Sequence, residues 1–158
     1  MSRFHYDGDE GIPYALWENA VTRSMRSRKG LALLRELKAA LEALPEKRLI
    51  DGFARIAEGG ECEVCALGAL AKARIEAGVP VNAWGHSRSI ESLAAEDWTA
   101  GDIENFGRDN GLGVAWAWQI AYENDEAAPH DPSARYIWML SRIRCLISEN
   151  PYSQEVVR

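Results

Sequence analysis

Residues 114–126 read VAWAWQIAYENDE, a run that is apolar except for Gln119 until it turns polar and acidic at Glu123. Val114, Trp116, Trp118, Ile120, Ala121 and Tyr122 leave no polar face at the helical period. A helix of this kind belongs at the centre of a fold, covered on several sides by other helices. Its acids come at its C-terminal end, where they oppose the macrodipole at a cost of about 0.3–1 kcal/mol each. Something else must therefore hold Glu123, Asn124, Asp125 and Glu126: a partner molecule, an ion or an internal arginine.

Downstream, Asp131 followed by Pro132 is a helix start, an acceptor side chain ahead of a proline that needs no N–H partner. Tyr136, Leu140, Ile143 and Ile147 give that helix its expected buried face. Arg135, Trp138 and Arg142 fall on the other side, which predicts an exposed tryptophan between two guanidinium groups, the composition of an interface anchor. The competing expectation has Trp138 covered by the tail or by a loop at 79–89. The tail, 150–158, is expected to fray.

Upstream, Asp109 or Asn110 is the expected cap of the central helix. Thr99 with Asp102 reads as a capping box for a helix over 100–107, and Ser89 as the cap of another over 90–98. Residues 79–89 read as a loop. Residues 65–77 are rich in alanine and end at Gly78 before Pro80, as a helix with a closely packed neighbour would. Two alternating runs flank Gly59 and Gly60, which predicts a β-hairpin near residues 53–64. Two amphipathic helices come first. One carries Tyr14, Trp17, Val21 and Met25 behind Pro13; the other carries Leu34, Leu37, Leu41 and Leu44 between an interruption at Gly30 and Pro45. Their short connection suggests an antiparallel pair with Arg and Lys outward. The fold class that follows is mainly α: a single helical domain over 1–158, with about five to seven helices and one small hairpin.

Composition agrees with this reading. The chain has 158 residues, 47% of them apolar, and a formal charge of −6. That suits a core able to form without disulfide or metal. No apolar run reaches membrane length, and three cysteines without a secretory leader fit a reducing compartment, so a cytoplasmic protein is expected, with no membrane partner. The charge is unevenly spread. Residues 21–58 hold nine basic side chains against five acids, whereas 91–131 hold ten acids against Arg108 alone, a net of −9. Either the two segments neutralise each other within the fold, or the acidic one is presented to a basic partner that its field would steer. The basic segment is too weakly charged for a committed nucleic-acid binder, so nucleic acid is not the expected partner.

Cys62 and Cys65 form a half-motif for zinc. A metal would need further ligands from His5, His86, His130, Cys145 or a carboxylate, and no second Cys-x-x-Cys exists. The plain expectation is that Cys65 and Cys145 are small buried residues and that Cys62 sits on a hairpin strand. The order of His86 and the cysteines does not fit a zinc deaminase, and no phosphate loop, nucleophile elbow or His-Glu-x-x-His is present. No catalytic residue, metal ligand or cofactor is assigned on this basis.

Several blocks carry a resemblance: Trp17-Glu-Asn-Ala-Val, Leu34-Arg-Glu-Leu, Leu44-Pro-Glu-Lys-Arg-Leu-Ile, Val64-Cys-Ala-Leu-Gly-Ala and Tyr122-Glu-Asn-Asp-Glu. In this order they resemble small proteins encoded by phages and prophages, a family to which no activity attaches. The resemblance implies an accessory protein without enzymatic activity that binds a host protein or complex, such as an anti-CRISPR-like inhibitor of host defence or nucleic-acid handling. The residues expected to meet that partner are Glu123, Asp125, Glu126, Arg135, Trp138 and Arg142. Two other readings compete: a small zinc-binding or enzymatic protein using Cys62 and Cys65, and a phage structural or assembly protein that self-associates through Trp138. The oligomeric state is left open by the sequence.

Overall fold

The computed structural model describes residues 14–155. Along the chain lie α1 (Tyr14–Arg26), α2 (Arg28–Glu42), β1 (Ala54–Ile56), β2 (Cys62–Val64), α3 (Ala66–Glu76), β3 (Asn82–Ala83) and β4 (His86–Ser87). They are followed by α4 (Ile90–Ala94), α5 (Ala100–Asp109), α6 (Val114–Tyr122), a π-helical turn over Glu123–Ala127, and α7 (Pro132–Glu149). The architecture is mainly α, as the helical periods predict. The hairpin near 53–64 is present, with Ala54 opposite Val64 and Ile56 opposite Cys62.

Side-chain oxygens set most helix starts. Ser27 accepts from the N–H of Gly30 at 2.8 Å, Ser89 from Ser92 at 3.2 Å and Asp131 from Ala134 at 2.9 Å. Thr99 and Asp102 close the expected capping box, since the Asp102 N–H donates to Thr99 Oγ1 and the Thr99 N–H to Asp102 Oδ2. Each such cap contributes about 1 kcal/mol. The central helix departs from expectation, because its cap is Gly113, which has no side chain to offer. Gly111 and Gly113 both take positive φ and delay the helix start by several residues. Asn110 instead holds β3: its Oδ1 accepts from the Asn82 N–H at 2.8 Å and its Nδ2 donates to the Asn82 carbonyl at 2.7 Å.

The core is built round α6. Trp116, Ala117, Ile120 and Ala121 are buried, and α1, α3 and α5 pack against this helix. At Gly107 of α5, a Cβ would stand 2.6 Å from Ala117 Cβ and 2.7 Å from the Gly113 carbonyl oxygen, so the two helices approach at a distance that only glycine permits. Phe53 stacks on Trp98 at 3.8 Å, with Phe106 edge-on at 5.1 Å, which seats the hairpin against α5.

Other local expectations need correction. Gly30 does not interrupt a helix: α2 begins at Arg28 and runs through it, and a Cβ there would lie 1.9 Å from the Ser24 carbonyl oxygen, so the glycine lets the end of α1 touch the first turn of α2. Beyond their mutual contact, α1 packs on α6, and α2 on α3 and α7. The segment 79–89 is not all loop, for it carries the second antiparallel pair, β3 with β4. The tail is docked through residue 155. Buried Asn150 donates to the carbonyls of Met25 and Ser27 at 2.9 and 3.1 Å, while Arg28 pairs with Glu155 at 2.9 Å and lies over the Tyr152 ring at 4.4 Å. Residues 156–158, Pro13 and His5 fall outside the described residues. Among those described, no helix is long and apolar enough to cross a membrane.

Candidate functional site

The acidic run after the central helix is pulled inward. At Glu123 the α-helix widens into a single π-helical turn, a device that re-aims side chains within a helix and recurs at sites under special constraint. Glu123 is 5% exposed, and its Oε1 accepts from Arg142 Nε at 2.9 Å and from Gln119 Nε2 at 3.2 Å. Of the three holders that the sequence left open, the fold supplies the internal arginine for Glu123. Glu123 Oε2 is buried without a hydrogen-bond partner among the described residues.

Asn124 is wholly buried and makes three bonds. Its Oδ1 accepts from the Ala66 N–H at 3.1 Å, at the first turn of α3, and its Nδ2 donates to the Ile50 carbonyl at 2.9 Å and to Asp125 Oδ1 at 2.8 Å. One amide thus fastens α6, α3 and the chain ahead of the hairpin. Asp125 is half-buried and Glu126 is exposed.

Of the expected triad on α7, only Arg135 is withdrawn from solvent, while Trp138 and Arg142 are half-buried. Arg135 is 2% exposed, with Nη1 donating to the Leu49 carbonyl at 3.4 Å and Nε without a hydrogen-bond partner among the described residues. Trp138 is half-buried against the core, and Arg142 is committed to Glu123. The reason is that α7 is covered on two sides, by α2 and by the π-helical turn, and the segment at Leu49 also bonds to the helix start through its N–H to the Pro132 carbonyl at 3.0 Å. Periodicity assumes one buried stripe, and two neighbours widen it. Met139 is fully buried, while the expected Leu140 and Ile147 are only partly covered. Ile137 is the large apolar residue of this helix left outside, at 65% exposure.

The cysteines divide. Cys65 is buried and caps α3, its Sγ accepting from the Gly68 N–H at 3.3 Å, and Cys62 lies half-buried on β2, where burial pushes its thiol upward. That direction disfavours a reactive thiolate. Cys145 was expected to be buried and is exposed, hydrogen-bonded to Glu149 Oε1 at 3.2 Å, which also raises its thiol. No group of three or more His, Cys, Asp or Glu among the described residues is arranged to hold a metal ion. Cys62 opens instead onto a cleft of about 450 Å³, whose charged lining is mixed: Glu46, Glu61 and Glu63 against Arg48 and Lys72.

The remaining acids divide between structure and surface. Asp102 and Asp131 are caps, whereas Glu91, Glu96, Asp97 and Asp109 on and around α4 and α5 are exposed. Beside them stands a residue that sequence reasoning passed over. Trp84 joins β3 to β4 with φ 50°, next to Gly85 at φ 79°. Two positive φ values suit a two-residue hairpin turn, in which Asn or Gly is usual and a tryptophan costs about 1–2 kcal/mol. The signal that could have found it is the Trp-Gly pair between two short polar runs. Asn124 likewise stood out only as the neutral member of an acidic run. No protein-family model, no curated protein and no solved structure matches this chain.

Proposed function

We propose that this chain is a non-enzymatic accessory protein of phage origin that acts by binding a basic host protein or complex, in the manner of an anti-CRISPR-like inhibitor of host defence or nucleic-acid handling. The observation that carries this reading is the exposure of Glu91, Glu96, Asp97 and Asp109 on one stretch of chain whose only basic residue is Arg108. Arg108 turns to Asn105 Oδ1 at 2.9 Å, a neutral partner, and so leaves those carboxylates to face outward. Clustered charge of one sign speeds encounter with an oppositely charged surface and makes it sensitive to salt.

The contact surface in this reading is the α4–α5 face. Glu123, Arg135 and Arg142 are occupied in holding the fold, so they serve it only indirectly. The test is affinity capture from host lysate by the wild-type protein and by a variant with Glu91, Glu96, Asp97 and Asp109 all changed to Lys. A partner taken down by the wild type at low salt, released by salt and lost in the variant is the expected result. Equal capture of the same partner by both proteins would remove the electrostatic reading.

A further inference from the structure

Between the second hairpin and α5 lies a recess of about 240 Å³ whose lining includes Trp84, Trp98, Asp102, Asn105, Phe106 and Asp109. It has room for roughly eight waters at their liquid volume of about 30 Å³ each, enough for the end of one long side chain. Its chemistry is unusual for a surface dimple. Trp98 and Phe106 are almost wholly buried and make an aromatic floor, while Trp84 is 40% exposed and stands as a wall, its ring 4.9 Å from that of Trp98 and tilted by 54°. Phe53, stacked behind Trp98, keeps that ring from turning away.

The rim is acidic. The half-buried Asp102 carboxylate is held by Thr99 through Oδ2, and its Oδ1 accepts from Trp84 Nε1 at 3.4 Å, which ties the wall to the rim. Asp109 is exposed in the last turn of α5. Two cations stand nearby and neither fills the recess. Arg108 is drawn to Asn105. Arg88 is not among the lining residues and lies over the Trp84 ring at 5.4 Å, with Nε on the Ala83 carbonyl and Nη1 on Ser92 Oγ.

Aromatic faces under a carboxylate rim attract a cation through the ring quadrupole and the rim charge together. A planar guanidinium uses such a site better than an ammonium does, because it can lie flat on a ring and still donate sideways to carboxylates. Arg88 already makes a cation–π contact with Trp84, at 5.4 Å from the ring centre. We propose that this recess receives an arginine side chain of the basic partner, seated against Trp84 and Trp98 and bonded at the rim by Asp109. This rests on the reading of the α4–α5 face as a partner surface and gives it an anchor.

The test is a titration of the full chain, followed by the indole N–H signals of Trp84 and Trp98, with N-acetyl-arginine methylamide as probe. Its lysine counterpart and the uncharged, nearly isosteric citrulline counterpart serve as controls. Saturable shifts confined to Trp84, Trp98 and their neighbours are expected with arginine, with citrulline about fivefold weaker and lysine weaker than arginine by about two- to fivefold. The substitution Trp84→Ala should abolish the response, and Asp109→Asn, at an exposed position where the fold has little at stake, should weaken it by about two- to fivefold. An absent or unsaturable shift, equal affinity for citrulline, lysine binding as tight as arginine, or an unchanged response in both variants would overturn the proposal. The titration needs no partner, so its failure leaves the partner-binding reading standing, and failure of the lysate capture leaves the recess standing.

Discussion

The acids of residues 91–131 fall into two regions that the fold treats in opposite ways. After α6, the carboxylate of Glu123 and the amide of Asn124 are buried and bonded, one to Arg142 and the other to Ala66 and Ile50. Around α4 and α5, Glu91, Glu96, Asp97 and Asp109 stay in solvent. The difference is one of neighbours. The first region is flanked by α3 and α7, which bring an arginine and open backbone groups within reach; the second has its apolar side occupied by Trp98, Ile103 and Phe106, and its four carboxylates are exposed. Formal charge is the same in kind, yet in one place it holds the molecule together and in the other it stays in solvent.

The largest effect should come from the buried side. Asn124→Ala would leave the Ala66 N–H and the Ile50 carbonyl without that partner, and a loss of about 2–4 kcal/mol is expected in urea unfolding. Arg142→Met should cost about 1–3 kcal/mol, because it strands a buried carboxylate, whereas Glu123→Met, which replaces that carboxylate by an apolar chain of similar size, should cost about 0–1 kcal/mol. Equal losses in the two variants would mean that Glu123 is better solvated than its 5% exposure indicates. Thr99→Ala removes half of the capping box and should cost about 1 kcal/mol, read as a lower thermal midpoint. On the exposed side, changing Glu91, Glu96 or Asp97 singly to Lys should move stability by no more than about 0.5 kcal/mol. A larger destabilisation there would show that those carboxylates also serve the fold.

The smallest effect concerns pH at the docked tail. The Arg28 guanidinium beside Glu155 holds that carboxyl below its usual value, and Lys38 with Arg144 does the same to Glu42. Because the folded carboxyls are the lower ones, their contribution is present above the ordinary carboxylate range and is lost as pH falls through the folded values. The protection of the amides at 152–155, taken relative to the intrinsic exchange rate at each pH, should therefore fall on acidification into that range, and Arg28→Ala should lower it already at neutral pH. Protection at Asn124 and Ala66 should not follow, which keeps the two kinds of region apart.

Much of the fold was legible because its signals are local. Leu34, Leu37 and Leu41 mark α2, Thr99 and Asp102 close a box three residues long, and Asp131 with Pro132 opens α7. The site was legible only in outline. The sequence showed that 91–131 is acidic and that the run after Tyr122 needed a holder, but α7 supplies that holder nineteen residues on, at Arg142, and a one-dimensional period has no term for it. Arg135 was misread for the same reason, since a helix with two neighbours buries more than one stripe. Trp84 escaped because a two-residue turn is usually sought through Asn and Gly.

The sequence by itself determined the helical class, most helix starts and the place of the hairpin, because capping and apolar period act over three or four residues. Only the tertiary structure decided which charges are interior and which face water. That choice depends on what the chain brings alongside each carboxylate, and the cost of burial is met only where an arginine or an open backbone group arrives at hydrogen-bonding distance.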